Sequence, residues 1–147
     1  MDYGKAFKQY KRSSIETADK LGLIIMCYDK TILCLQQAQE NLRDNEIVKK
    51  VGKIQKALDI ISELQSSLNF DKGDKIAKSL DSLYTYLTNR IILADIQKDY
   101  SIFNECINIL SELKSGWEGI KTEKEELNPI DNTSGHEIPR LSHQIAV

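Results

Sequence analysis

Proline and histidine are scarce in this sequence, and both are confined to its C-terminal part. The residues concerned are Pro129, His136, Pro139 and His143. Because proline interrupts helices and central strands, the stretch from about Thr17 to Ile120 is free to form long elements. A di-iron bundle needs Glu-x-x-His pairs on facing helices, and a phosphotransfer bundle needs a histidine on an exposed helix. The first 120 residues contain neither.

Other chemical motifs are missing as well. There is no glycine-rich phosphate loop, no Cys-x-x-Cys pair and no Ser-His-Asp order that a bundle could present. Cys27 and Cys34 lie seven residues apart, but no further cysteine or histidine lies near enough in the sequence to complete a zinc site. We therefore predict that the protein is not an enzyme, has no catalytic residues and binds neither a metal nor a cofactor.

An excess of one charge and a long apolar run are also absent. Lysine and arginine number 20 against 22 acidic residues, so there is no sign of the clustered basic surface that nucleic acids require. The longest apolar run, residues 23–28, is far shorter than the roughly 20 residues that span a bilayer, and no secretory signal opens the chain. The three cysteines sit in apolar helical pattern, which favours free thiols in a reducing compartment. We predict a cytoplasmic protein without a nucleic-acid partner and without membrane insertion.

Apolar residues recur at intervals of three and four, the period of an α-helix. Polar or glycine-bearing breaks at residues 44–45, 69–74 and 97–99 divide this pattern into four segments, the first beginning at Ala18 after Thr17 as N-cap. The core-facing apolar residues of the second segment include Ile47 and Val51. Asp74 could be the N-cap of the third segment. Four helices of about 20 to 25 residues joined by short turns must run antiparallel. The sequence thus predicts an all-α protein, an antiparallel up-down-up-down four-helix bundle at residues 17–121.

The two ends of the chain differ from this central domain. Residues 1–16 are polar and basic with spaced aromatic residues, and residues 122–147 begin acid-rich and contain both prolines. We interpret them as a mobile N-terminal segment and a flexible C-terminal tail, although apolar residues of the tail could dock on another surface.

The sequence contains more apolar residues than are needed on the core-facing sides of the four predicted helices. In the first helix Leu23, Ile25, Met26, Cys27 and Leu33 fall off the main stripe, as do Tyr86, Ile92, Ile102 and Ile109 later in the chain. They could widen the core or pack against the ends of the chain. Together they could equally line a groove that accepts a partner segment. Periodicity alone supports only a helical bundle with a protein partner.

Several short motifs carry a more specific resemblance. Residues 21–29, closing in Met-Cys-Tyr-Asp, resemble the first-helix motif of the FliS family of flagellar secretion chaperones. Residues 68–71 are similar to that family's turn between helices two and three, and residues 76–86, with Leu-Tyr-x-Tyr, resemble its most recognisable helix. Two further matches follow in the same order as in the family. They are Ala94 with Asp95 and Asp99, and the Leu-x-x-Leu motif of the last helix at residues 110–113, which is followed by Trp117. The likeness spans about residues 3 to 121.

The resemblance implies a function and a mechanism. Family members bind the disordered C-terminal segment of flagellin in the cytosol, prevent its premature polymerisation and deliver it to the flagellar type III export apparatus. In the family the N-terminal segment can lie in the same groove when flagellin is absent, so Tyr10 and Ile15 are expected to form an N-terminal lid. A component of the export gate is the second expected partner, and a homodimer is left open.

The resemblance also nominates residues of the flagellin-binding groove, each of which could instead be ordinary core. They are Leu21, Ile24, Ile25, Tyr28, Asp29, Leu83, Tyr84, Leu87 and Ile91. Asn69 is expected to tie its turn and Trp117 to belong to the core. Two alternatives have different classes of function: an adaptor for a non-flagellin protein, which shares every periodicity argument, and a bundle enzyme, which the lack of histidine disfavours.

Overall fold

The structure is a computed structural model that describes the backbone of residues 2–127 and the side chains of residues 20–125. It contains four helices, α1 (Asp2–Arg43), α2 (Ile47–Ser66), α3 (Asp74–Gln97) and α4 (Tyr100–Leu127), and the described residues include no strand. α1 packs on α2 and α4, and α3 packs on the same two helices, so the helices form a closed ring. The predicted all-α four-helix bundle is confirmed.

Contacts between side chains show that neighbouring helices run antiparallel. Between α2 and α3, Lys50 near one end of the bundle pairs with Asp95, whereas Gln65 near the other end bonds to Asp81. α1 and α4 are related in the same way. Asp29 meets Lys114 on those two helices, and further along α1 Gln39 meets Asn104. Each pair fixes which levels of the two helices face each other.

The turns lie where the sequence predicts them. Asn45 after α1 and Lys98 after α3 adopt left-handed backbone conformations, with φ of 59° and 52°, which end a helix sharply. Asp99 then accepts hydrogen bonds from Ser101, and these lower the pKa of the Asp99 carboxyl. Between α2 and α3, the Asn69 side chain accepts the backbone N–H groups of residues 71 and 72, both at 3.1 Å. Asn69 therefore ties its turn as expected.

Two predicted helix starts are wrong. Asp74 does not cap α3, because Gly73 is the N-cap and Asp74 already lies within the helix, paired with Lys78. α1 begins at Asp2 rather than at Ala18. The physical reason is that no proline interrupts residues 2–17 and that Thr17 lacks the glutamate of a capping box, so nothing local stops the helix. The side chains of Tyr10 and Ile15 and the tail beyond residue 127 lie outside the described residues.

The core is built from the inward stripes of all four helices. Its largest fully buried side chains include Tyr28, Leu35, Ile61, Tyr84, Leu87, Phe103 and Leu110. Trp117 is buried as expected, and the three cysteines are free thiols. Burial raises the pKa of Cys106 to about 11, so its side chain remains an uncharged thiol at neutral pH.

One inward position differs from the predicted stripe. Lys50 of α2 is only 7% exposed, whereas Ile47 and Val51, which the sequence placed in the stripe, are turned outward. The Lys50 ammonium lies 2.5 Å from the Asp95 carboxylate of α3. A buried ammonium needs such a partner, because an unpaired charge in the interior is costly. The ion pair therefore allows Lys50 to occupy an inward-facing position, where the sequence pattern had predicted Val51.

A hydrogen bond crosses the centre of the bundle. The hydroxyl oxygens of Tyr28 and Tyr84 are 2.6 Å apart, and both rings are buried. Burial raises the pKa of both phenols above the ordinary value, so both stay protonated and available for this bond.

We expect the two tyrosines to show coupled stability effects. Tyr28→Phe should destabilise the bundle by about 1–3 kcal/mol, because it leaves the buried Tyr84 hydroxyl without its partner. Tyr84→Phe should cost a similar amount, because it leaves the buried Tyr28 hydroxyl unpaired in turn. The double variant should cost clearly less than the sum of the singles. Urea unfolding followed by circular dichroism measures all three, and strict additivity would contradict the bond.

Candidate protein-binding surfaces

Most residues nominated for the groove lie in the core. Six of them are buried side chains that contact the interior of the bundle: Leu21, Ile24 and Tyr28 of α1, and Tyr84, Leu87 and Ile91 of α3. A partner could not touch them without opening the bundle. Their place in the structure is to support the helix faces that carry the accessible residues.

The other three nominated residues are accessible, but one of them lies apart from the other two. Ile25 is half-buried against the core on α1. Asp29 is exposed and accepts a 2.6 Å bond from the Lys114 ammonium, which raises the pKa of Lys114. Leu83 is half-buried on α3, the helix diagonally opposite α1. Ile25 and Asp29, four residues apart, therefore share one face of α1, whereas Leu83 belongs to a different surface.

The first apolar surface is the outer face of α1. Leu23, Met26 and Leu33 share one side of this helix and are 61%, 64% and 44% exposed, respectively. They lie on the side opposite the buried Leu21, Tyr28 and core stripe, as their spacing along a helix requires. We call these three residues the α1 stripe. It is a convex surface of a single helix.

A second surface lies between α2 and α3. Val48, Val51, Ile92 and Ile96 are exposed, Val48 by 85% and Ile96 by 72%. The Lys50–Asp95 pair joins the two helices at this level and holds these side chains near one another. We call the four residues the α2–α3 patch. It lies at the end of the bundle that carries the turns at Asn45 and Lys98.

The third surface is a groove between α3 and α4 towards the opposite end. It has a volume of about 290 Å³ and is almost wholly apolar. Its lining residues are Lys75, Ile76, Ser79, Leu80 and Leu83 of α3 and Leu113 of α4. We call it the α3–α4 groove. Two helices contribute walls to it, so an apolar side chain can be contacted from both sides.

A polar cluster joins α3 to α4 beyond the inner end of this groove. The Tyr86 hydroxyl donates to the Glu105 carboxylate, and Arg90 donates from two nitrogens at 3.0 and 2.8 Å. The hydrogen bond from Tyr86, followed by those from Arg90, lowers the pKa of Glu105. The Arg90 guanidinium also lies 5.8 Å from the centre of the Tyr86 ring. The cluster fixes the spacing of α3 and α4 where the groove ends.

The described residues contain no group of histidine, cysteine, aspartate or glutamate side chains that could hold a metal ion. Within the same part of the chain, no helix is both long and apolar enough to cross a membrane.

Sequence reasoning found the α1 stripe and Ile92 of the α2–α3 patch, but it missed Val48, Val51 and Ile96. Leu23, Met26 and Leu33 stand off the core stripe within the first helix, so the pattern alone reveals them. Val51 lies three residues before the core residue Ile54, a helical spacing, so the sequence pattern predicts that Val51 is buried. The one available signal was Lys50, whose charge could have been matched with Asp95 once the two helices were aligned antiparallel.

This fold and these surfaces define a four-helix bundle that leaves apolar side chains exposed on its outer faces. A family model described as flagellar protein FliS matches residues 3–124. Over 120 residues the chain is 36% identical to the flagellar secretion chaperone FliSB of Pseudomonas aeruginosa, which covers 79% of this chain and 95% of that protein. It is 32% identical over 130 residues to the flagellar secretion chaperone FliS of Vibrio cholerae, covering 86% and 96%.

A third relative is the flagellar secretion chaperone FliS of Salmonella typhimurium, 30% identical over 118 residues, with 79% of this chain and 87% of that protein covered. The chain belongs to the FliS family, as its motifs indicated. The match with the family model spans all of α2 and α3 and all but the ends of α1 and α4.

We expect surface and core positions of α1 to differ sharply in their effect on stability. Exchanging Leu23 and Met26 together for serine should change the free energy of unfolding by only about 0.5 kcal/mol per residue, because both side chains are exposed. Leu21→Ala, in the same helix, should cost about 2–5 kcal/mol through the cavity that it leaves. Urea unfolding of the variants provides the measurement. Equal losses would contradict the assignment of the two faces.

Proposed function

We propose that this protein is a non-catalytic flagellar secretion chaperone of the cytoplasm. It binds the disordered C-terminal segment of flagellin, prevents premature polymerisation and delivers flagellin to the flagellar type III export apparatus through a contact with an export-gate component. Membership of the FliS family and the names of the relatives support this proposal.

The observation that carries the proposal is the set of three separate apolar surfaces on a bundle whose core is already closed. Exposed apolar area of this kind is typical of surfaces that bind other proteins. The α1 stripe, the α2–α3 patch and the α3–α4 groove face different directions, so one compact partner cannot cover all three. An unfolded segment can, because it wraps around the bundle and places short apolar stretches on each surface.

The same mode of binding accounts for release. A segment that folds on binding loses conformational freedom, which costs roughly 2–5 kcal/mol or more of the interaction energy. A large contact area then gives only moderate affinity. Flagellin is thus kept from polymerising in the cytoplasm and can still be released at the export gate.

The nominated residues divide by their roles in this mechanism. Ile25, Asp29 and Leu83 are accessible and contact flagellin, Leu83 from within the α3–α4 groove. Six buried residues, Leu21, Ile24, Tyr28, Tyr84, Leu87 and Ile91, shape the helix faces from inside. The Asp29–Lys114 pair ties α1 to α4 beside Ile25 and opens to offer the carboxylate to a backbone N–H of flagellin.

The proposal is tested by calorimetric titration with the C-terminal segment of flagellin from the same organism. We expect a one-to-one complex, a strongly negative heat-capacity change from apolar burial and a gain of helix by circular dichroism. Val51→Ser with Ile92→Ser should weaken binding at least tenfold, since each buried aliphatic side chain contributes about 1.5–3 kcal/mol.

A matched control keeps the bundle and changes exposed polar positions in the same two helices, Gln55→Ser with Asn89→Ser. It should bind like the natural protein. Absence of binding with both components soluble would remove the flagellin assignment in favour of an adaptor for another protein. Sedimentation equilibrium of the free protein tests the homodimer in the same samples.

The N-terminal lid remains part of the proposal. Residues 1–16, with Tyr10 and Ile15, compete with flagellin for its surface. Deleting residues 1–16 should therefore tighten binding of the flagellin segment in the same titration. An unchanged or weaker affinity would rule out a lid at this end of the chain.

A further inference from the structure

The α3–α4 groove has the length and the apolar lining to hold three apolar side chains on one face of a short helix. Ile76, Leu80 and Leu83 line it at intervals of four and three residues along α3, a span of about 10 Å at 1.5 Å per residue. Leu113 of α4 provides the opposite wall. Lys75 lies at the end of the groove nearest the α2–α3 turn and has no ion-pair partner among the described residues.

The sequence beyond α4 contains a stripe of matching length. Ile138, Leu141 and Ile145 are spaced by three and four residues, so a helical conformation would place all three on one face over the same span as the groove. Pro139 suits the first turn of such a helix, where a missing backbone N–H is tolerated. Glu137 directly precedes the stripe.

The position of α4 brings this stripe within reach of the groove. α4 ends at Leu127, and the helical rise from Leu113 to Leu127 is about 21 Å. Residues 128–137, when extended, span up to about 33 Å, which is enough to return to the groove. The chain then enters at the Lys75 end, where Glu137 meets an ammonium of opposite charge.

The other two apolar surfaces fit this stripe less well. The α2–α3 patch lies at the opposite end of the bundle, beside the turns at Asn45 and Lys98. The α1 stripe is closer, because Gly22 lies beside Lys121 of α4, but it is a convex face with a single helix behind it. Of the two surfaces near this end of the bundle, the groove is the one that offers contact from two helices.

We propose that residues 137–145 dock in the α3–α4 groove of the same chain, with Ile138, Leu141 and Ile145 on its apolar floor and Glu137 at Lys75. Attachment to α4 makes this contact effective even when it is weak. A short flexible linker gives an effective concentration of the order of 1 mM, so an intrinsic dissociation constant of about 0.1–1 mM leaves the groove half to nine-tenths occupied.

The consequence for flagellin rests on the proposed function. If the flagellin segment uses the α3–α4 groove, residues 137–145 compete with it and lower its apparent affinity by the fraction of grooves already filled. The docking itself does not depend on flagellin and is tested without it.

The first experiment is methyl NMR of the full chain. We expect nuclear Overhauser effects between the methyl groups of Ile138, Leu141 and Ile145 and those of Ile76, Leu83 and Leu113. Replacing the three tail residues by serine should shift the groove resonances. The control Asn132→Ser with Gln144→Ser, in the same tail, should leave them in place. No such effects, or effects at the α1 stripe instead, would overturn the proposal.

A charge exchange supplies a second, independent reading. Glu137→Lys should weaken the methyl contacts, and adding Lys75→Glu should restore them; failure of the pair to restore them contradicts the predicted register. With the flagellin segment, the triple-serine tail variant should bind about two- to tenfold more tightly than the natural chain. If flagellin does not bind at all, the proposed function fails while the methyl contacts still decide the docking.

Discussion

The hydroxyl groups of Tyr28 and Tyr84 meet at 2.6 Å where the diagonal helices α1 and α3 approach each other through the core. Each ring is buried, and each hydroxyl would be costly to bury without the other. The bond therefore fixes how α1 and α3 are each rotated about their own axes. Once these rotations are set, the residues that face inward on both helices are set as well, and the remaining apolar side chains must face outward.

The distribution of apolar surface follows from this closed interior. Leu23 and Met26 of α1 and Ile92 of α3 cannot enter a core that Tyr28, Tyr84 and Phe103 already fill. They remain on the surface of a small bundle, where they would promote association with other chains unless a partner covers them. The proposed binding of an unfolded flagellin segment would make use of this property, because apolar side chains of that segment would cover the exposed ones.

Charged groups position these surfaces more than they add stability. Lys50 and Asp95 join α2 to α3 next to exposed valine and isoleucine side chains, and Glu105 joins α4 to Tyr86 and Arg90 of α3 beyond the groove. Solvent partly screens the Arg90–Glu105 pair, and in the buried Lys50–Asp95 pair the cost of desolvating the charges offsets their attraction, so neither pair adds much net free energy. Their effect is geometric: they hold neighbouring helices at a fixed level, and this keeps the groove and the patch in shape.

Helix content, the turns and most of the core were accessible from the sequence, because the helical period and the turn-forming residues act locally. Asn45, Asn69 and Lys98 show this, since each lies in a break that the pattern predicted. The start of α1 was missed, because a helix without a stop signal extends as far as its neighbours allow. Six of the nine nominated groove residues are buried side chains, because a family motif marks positions along α1 and α3 without distinguishing accessible side chains from inward-facing ones.

By itself, the sequence determined the all-α bundle, its family and the excess of apolar residues along α1. Only the tertiary structure decided which apolar side chains remain exposed, because burial depends on how neighbouring helices are rotated and levelled against one another. Lys50 illustrates the difference: its inward place depends on Asp95, 45 positions away in the chain, which only antiparallel packing brings within 2.5 Å. The α3–α4 groove has the same origin, since Leu113 becomes one of its walls only when α4 lies against α3.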